Sequence, residues 1–185
     1  MQQTWTEFIE WAIPDERNRE QFRLYIKNSL NGVRNNKMLI LYGPGRNGKG
    51  ITYEAMNKAI GAENTVHFSD HILSNTTEAM YSLNLIEGKK LCYLSLGPDD
   101  RYHHGILELI DGVFPMIRGI YEKPRLAKSM PDFVNITNDI NTDSSLIRRS
   151  LFIDFSNEFN NNDAGELVSI VEYINKEEIK QWFLN

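Results

Sequence analysis

The chain has 185 residues, 41% hydrophobic and 24% charged, which suits one globular domain with a sizeable core and at most a small appendage. A net charge of −5 excludes a generally basic nucleic-acid binder, so any such contact must be a local basic element on an acidic body. The single cysteine, Cys92, excludes a disulfide framework and fits a reducing compartment. No apolar run approaches the roughly 18 residues of a membrane span. Met1-Gln2-Gln3-Thr4 leads straight into an amphipathic segment rather than a leader. The expected setting is intracellular, with no membrane partner.

In chain order, Thr4 and Glu7 form a capping-box signal that opens a short helix through Trp5, Phe8, Ile9 and Ala12, ended by Pro14. Asp15 to Leu30 reads as a second helix, with Phe22, Leu24, Tyr25, Ile26 and Leu30 on a broad apolar face and Gly32 closing it. Residues 1–34 thus form a helical segment ahead of a core at 35–156. This segment is a packing cap or an oligomer contact.

The core opens on Met38-Leu39-Ile40-Leu41-Tyr42, an apolar run that reads as a buried strand. Gly43-Pro44-Gly45-Arg46-Asn47-Gly48-Lys49-Gly50 follows, and then a helix from Ile51 to Ile60, stopped by Gly61. Strand, glycine-rich loop, lysine and helix make the setting of a phosphate-binding loop. Its backbone N–H groups can form a nest for phosphates, and glycine lets the chain wrap closely. The positive end of the helix adds to the attraction, and Lys49 supplies a point charge. The candidate nucleotide contacts are Gly43, Pro44, Gly45, Arg46, Asn47, Gly48, Lys49, Gly50 and Ile51. A glycine-rich turn with an exposed lysine shares the spacing, though not the flanking strand and helix. The pattern ordinarily ends in Ser or Thr, whose hydroxyl holds Mg²⁺; here that place is Gly50. Thr52 lies two residues on, about 200° around the helix, and substitutes poorly.

Thr65 to Phe68 is a candidate strand, and Asn75 starts a helix running to Ile86. His67 and His71, like His103 and His104, have no further ligands nearby in sequence, so no metal site is expected of them. Lys89 to Leu96 is the second convincing strand. A phosphate-loop NTPase places acids at its end, one for Mg²⁺ and one for the attacking water. Here Leu96 occupies that end, and Asp99 and Asp100 follow beyond a Gly97-Pro98 turn. They either curl back to the metal or form a solvated turn. Gly105 to Gly112 suggests a helix. Two short extended pieces around Glu122-Lys123-Pro124-Arg125 then read as a hairpin or loop in the most basic neighbourhood of the chain, with Arg118, Tyr121, Lys123, Arg125 and Lys128. A basic tip with an aromatic suits a nucleic-acid backbone with a stacked base, and a solvated charged turn fits equally. Asp132 to Asn138 and Leu151 to Phe155 are further strands, with a helical turn at Ser144 to Arg149 between them. Asn160 to Asp163 reads as a turn, and Ala164 to about Phe183 as a closing helix within residues 157–185 that packs on the core.

The order of these pieces resembles the superfamily 3 helicases of DNA viruses, phages and plasmids, which are AAA+ ATPases. In style it is nearest to the helicase half of poxvirus-type and phage or plasmid primase-helicases. The resemblance runs from Leu39 to Phe155. The glycine-rich loop, with its Asn47-Gly48-Lys49 core, looks like the family's first motif, and Leu91 to Ser95 like its second. Leu109 to Gly112 with Arg118, Tyr121 and Lys123 is similar to the motif whose hairpin carries a DNA-contacting lysine. Ile136-Thr137-Asn138 is similar to the third motif, and Ser145 to Phe155 to the module's Arg-Arg-hydrophobic-Phe close.

The resemblance implies an α/β fold: an AAA+-like P-loop core with a mainly parallel sheet between helices, behind a small helical segment. It implies ATP and Mg²⁺ as cofactors, single-stranded or forked DNA as partner, and a hexameric homo-oligomer, with a primase or replication-initiation domain as a further partner. If the source is viral, the compartment is the host cytoplasm or nucleus. Lys49 would hold phosphates, Asp99 or Asp100 would supply the acid and any Mg²⁺ contact, and Asn138 would sense the γ-phosphate. Arg148 or Arg149 would reach a neighbour's site, and Arg118, Tyr121, Lys123 and Arg125 would meet DNA. Gly50 and Leu96 depart from the pattern at the metal and water apparatus. They motivate an alternative, a degenerate module that binds nucleotide with little turnover and serves as an assembly or DNA-binding platform. A small-molecule kinase is disfavoured because no second basic lid segment is evident.

Overall fold

The structure is a computed structural model and describes residues 4–95, 104–140, 144–158 and 176–185. The elements that carry the site are the strands β1 (Met38–Tyr42), β2 (Thr65–Ser69), β3 (Leu91–Ser95), β6 (Asp132–Thr137) and β7 (Ser150–Asp154). They form one five-stranded sheet in the order β2-β3-β6-β1-β7. Every pairing in it is parallel. Parallel strands need crossovers that cover both faces of the sheet, which is why these strands read as nearly continuous apolar runs.

The alternation along each strand divides the core in two. Leu39, Leu41, Val134, Ile153 and Phe155 face one side. There they meet α1 (Trp5–Ala12), α2 (Glu16–Leu30), α3 (Lys49–Ile60) and α7 (Lys176–Leu184). Met38, Ile40, Cys92, Leu94 and Phe133 face the other side, against α4 (Thr76–Ile86), α5 (His104–Ile110) and α6 (Ser144–Arg148). Burial holds the Cys92 thiol protonated, raised far above its ordinary range. A second, two-stranded antiparallel ribbon, β4 (Met116–Ile117) with β5 (Arg125–Leu126), lies on α4.

The helix ends follow local chemistry. Thr4 Oγ1 accepts from the Glu7 N–H at 3.3 Å while the Glu7 carboxylate accepts from the Thr4 N–H at 2.8 Å, the reciprocal box expected from the sequence. Asp15 and Asn75 cap α2 and α4 one way only, their side chains accepting from the Asn18 N–H and from the Thr77 and Glu78 N–H groups. Trp5, Phe22, Trp182 and Phe183 pack edge to face or tilted, with ring centroids 5.1–6.5 Å apart, and fasten α1, α2 and α7 together. The segment before β1 is therefore bound into one face of the core. The closing helix is described from Lys176; the turn at 160–163 and the helix from 164 to 175 expected from the sequence lie outside the described residues.

A buried polar cluster ties this helical layer to the sheet. Asp132, 6% exposed at the start of β6, accepts from Ser29 Oγ at 2.7 Å, from the Asn35 N–H at 3.0 Å and from Asn35 Nδ2 at 2.7 Å. The single Tyr25 O–H is shared between the carbonyls of Lys37 at 2.8 Å and Phe133 at 3.1 Å. Burial pushes the Asp132 carboxyl above its usual range, with the three donors pulling the other way. An amide at this position can accept on one oxygen only and turns its NH₂ towards donors. Asp132→Asn should therefore destabilise the protein by about 1–3 kcal/mol, read as a lower urea midpoint at unchanged slope.

Candidate functional site

β1 has β6 on one side and β7 on the other, and the chain leaves it for the far edge at β2. In open α/β sheets the crevice at such a reversal, beyond the carboxyl ends of the strands, is where ligands bind. The glycine-rich loop leaves β1 at that point. Gly43 has φ of +139°, and a Cβ there would run into the Phe155 carbonyl and Asn47 Nδ2. Gly48 caps α3 with φ of +89°, the left-handed conformation for which glycine carries no steric penalty. Lys49 is the first residue of α3 and is buried, 6% exposed. Its Nζ donates to the carbonyls of Gly43 at 2.6 Å and Pro44 at 2.7 Å, and to Asn47 Oδ1 at 2.9 Å. Burial lowers the Lys49 pKa. Pro44, Gly45 and Arg46 form the exposed rim. The arrangement puts an ammonium at the base of the loop and a helix N-terminus beside it, a combination that attracts phosphate.

Gly50 is exposed, and a Cβ added there would meet nothing within 4 Å. Thr52 is fully buried in α3, and its hydroxyl has no hydrogen-bond partner among the described residues. Leu96, Asp99 and Asp100 lie outside the described residues. Among the described residues no three His, Cys, Asp or Glu side chains converge on a common point. The loop therefore fits the phosphates of a nucleotide, whereas for Mg²⁺ the described residues fit poorly, because position 50 offers no hydroxyl.

Thr137, the last residue of β6, is the register partner of Tyr42, the last residue of β1, and the exposed Asn138 follows it in the chain. Asp154, not singled out in the sequence, is the partner of Tyr42 on β7. Burial, and secondarily the Asp154 charge, raise the Tyr42 hydroxyl pKa. An acid closing an otherwise apolar strand was the visible signal for it. The paired arginines stand elsewhere. The Arg149 carbonyl accepts from the Met38 N–H, at the start of β7 and β1, about 16 Å of strand away from the loop. Arg149 Nε donates to both oxygens of Asp111 at 2.7 and 2.9 Å, while Arg148 is exposed. Within one chain, neither is brought to the loop.

The basic stretch forms the β4–β5 hairpin, resolving the hairpin-or-loop alternative. Tyr121 stands at its tip, 99% exposed with φ of +64°. Lys123 is exposed beside it. Arg118 Nε donates to the Glu122 carbonyl at 2.9 Å, and its guanidinium lies 5.7 Å from the centre of the Tyr81 ring. Arg125 makes a bidentate pair with Glu87, the residue that ends α4, at 3.0 and 2.7 Å, so its charge fastens the hairpin to the core. No short-range pattern links residues 87 and 125, and the sequence did not show this pair.

No protein-family model matches the chain, and no curated protein sequence does. Solved structures do. The A-form apo structure of the NrS-1 C-terminal region is similar with a TM-score of 0.71 at 16% identity, covering 96% of this chain and 43% of that one. JCV helicase, solved with a thiazolopyridine-phenoxy acetamide bound, is similar with a TM-score of 0.59 at 17% identity, covering 96% of this chain and 50% of that one. The chain therefore has the fold of these proteins and spans about half their length. No helix among the described residues is long and apolar enough to cross a membrane.

The Glu87 carboxyl is lowered to about 2 from 4.5, first by the Arg125 hydrogen bond and then by the Lys128 N–H. A depressed carboxyl contributes stability above its unfolded pKa and loses it as pH falls towards the folded one. The stability difference between wild type and Glu87→Gln should thus be constant above about pH 5 and shrink as pH falls towards about 2, as denaturant titrations at stepped pH will read.

Proposed function

We propose that this chain is an ATP-dependent helicase or translocase domain that acts on DNA in the replication of a viral, phage or plasmid genome. One observation carries the reading: a buried Lys49 at the base of a glycine-rich loop, placed at the reversal point of a parallel sheet whose fold is shared with JCV helicase. In this reading Gly43 to Ile51 hold the nucleotide phosphates, and Lys49 swings part of its donor set from the loop carbonyls to phosphate oxygens. Asn138, which follows the end of β6 beside β1, meets the γ-phosphate or the water that attacks it. Mg²⁺, when bound, would offset phosphate charge. It would be held by the phosphates, by water and by Asp99 or Asp100.

The paired arginines lie at the far end of β1 and β7 from the loop, about 16 Å of strand away, so a homo-oligomer, with a hexameric ring as the form proposed, would let another copy supply them. In a ring, Arg148 or Arg149 of one copy would stabilise charge in the next copy's site. The hairpin would meet single-stranded or forked DNA through Tyr121, Lys123 and Arg118, with Arg125 holding the hairpin in place. A primase or replication-initiation module is the proposed companion. The working compartment would be intracellular, the cytoplasm or nucleus of a host if the genome is viral.

A second reading is favoured by Gly50: a module that binds nucleotide, hardly turns it over, and serves as an oligomeric platform. Steady-state ATP hydrolysis with Mg²⁺, with and without single-stranded DNA, separates the two. Lys49→Ala, expected to abolish nucleotide binding, sets the baseline. Turnover above that baseline and stimulated by DNA supports the motor. ATP binding with turnover at the baseline supports the platform, and ATP affinity unchanged in Lys49→Ala rejects both.

Because a side chain at position 50 meets open space, Gly50→Thr should fold normally. It is expected to raise Mg²⁺-dependent turnover by about tenfold, by supplying the hydroxyl the loop lacks. Equal turnover of Gly50→Thr and wild type would show that the metal is held without that position.

A further inference from the structure

Asn47 is buried, 1% exposed, in a loop whose neighbours Pro44, Gly45 and Arg46 are exposed. The backbone turns it inward. Arg46 before it and Gly48 after it both have left-handed φ, 60° and 89°. For a residue such as Arg46 that conformation is uncommon and persists only where the surroundings hold it. Inside the loop the Asn47 amide is bonded at both ends. Nδ2 donates to the Phe155 carbonyl at 2.8 Å, and Oδ1 accepts from Lys49 Nζ at 2.9 Å. A carbonyl needs a donor and an ammonium needs an acceptor, so the amide can be seated only one way round. Phe155 is itself fixed, its N–H donating to the Tyr42 carbonyl at 2.9 Å.

We propose that Asn47 is a positioning residue for the phosphate-binding lysine: its amide ties Lys49 to the end of β7 and so sets where the ammonium meets the phosphates of a nucleotide. The inference rests on the nucleotide reading above and deepens it. Serine at this place is too short to serve both partners at once. Aspartate accepts from the ammonium but faces the Phe155 carbonyl with a second acceptor. Asparagine presents one donor and one acceptor at the right reach. The left-handed Arg46 is then the local strain that holds the amide under the loop.

A double-mutant cycle tests this, with pyrophosphate and ADP as probes and calorimetry as readout, on wild type, Asn47→Ala, Lys49→Arg and the double variant. Asn47→Ala is expected to weaken both probes by about tenfold while Lys49 is present, the scale of one hydrogen bond to a charged group. In the Lys49→Arg background, where the longer planar group cannot take the same seat, the further loss should fall below about twofold. The same loss in both backgrounds would make Asn47 a structural residue only, and unchanged affinity in Asn47→Ala would remove its role; either overturns the inference. If Asn47→Ala does not fold, Asn47→Ser takes its place in the cycle. If Lys49→Arg binds too weakly to measure, the acylation rate of Lys49 by a succinimidyl ester, read by mass spectrometry, decides. Asn47→Ala or Asn47→Ser should raise that rate several-fold, and an unchanged rate overturns the inference. Wild type binding neither probe ends the nucleotide reading together with this inference, whereas binding without coupling ends the inference alone.

Discussion

An ammonium group taken out of water at the end of a central strand needs acceptors on every side, and much of this structure can be traced to that need. Removing a charge from water is unfavourable unless hydrogen bonds replace the lost hydration. Lys49 obtains them from two loop carbonyls and one side chain, and each of those acceptors imposes a shape. For the Gly43 and Pro44 carbonyls to converge on one point the loop must curl back over its own strand, which requires Gly43 with its positive φ. For Asn47 to join them, the chain must turn through left-handed conformations on both sides. Gly43 and Gly48 supply the positive φ values that let the backbone curl round this charge.

The sheet supplies the rigid floor beneath this loop. β1 is buried by strands on both sides and by helices on both faces, so its carboxyl end has little freedom to move. The strands next to it end in polar groups at the same height, both partners of Tyr42: Thr137 on β6 and Asp154 on β7. Register does this work. In a parallel pair a one-residue slip would both misplace these groups and turn the apolar set to the wrong face. The packing that holds the core thus also sets the spacing of the site.

The parts legible in the sequence were those with a local physical cause. Apolar runs gave the strands, the capping box at Thr4 and the polar residues Asp15 and Asn75 marked helix starts, and the glycine spacing located the loop between β1 and α3. The structure places these within a residue or two of expectation. What stayed hidden depends on residues distant in the chain. Arg125 looked like a free DNA-binding charge because nothing near it signals Glu87, 38 residues earlier. Nothing near Asp132 in the sequence signals its burial with Ser29 and Asn35, about a hundred residues earlier. Arg148 and Arg149 sit close in sequence to the strand that flanks the loop, yet at its opposite end, which only strand direction reveals.

The aromatic packing of the helical layer has an optical consequence. All three tryptophans of the chain, Trp5, Trp11 and Trp182, lie in α1 and α7, with none in the strands or the hairpin. Tryptophan emission therefore observes one side of the molecule. It follows the docking of those helices, to which the loop's neighbourhood is joined through Asn157 Nδ2 on the Trp11 carbonyl at 2.7 Å. Partial melting that released the helices from an intact sheet would look like complete unfolding by fluorescence, while circular dichroism would still record the strands.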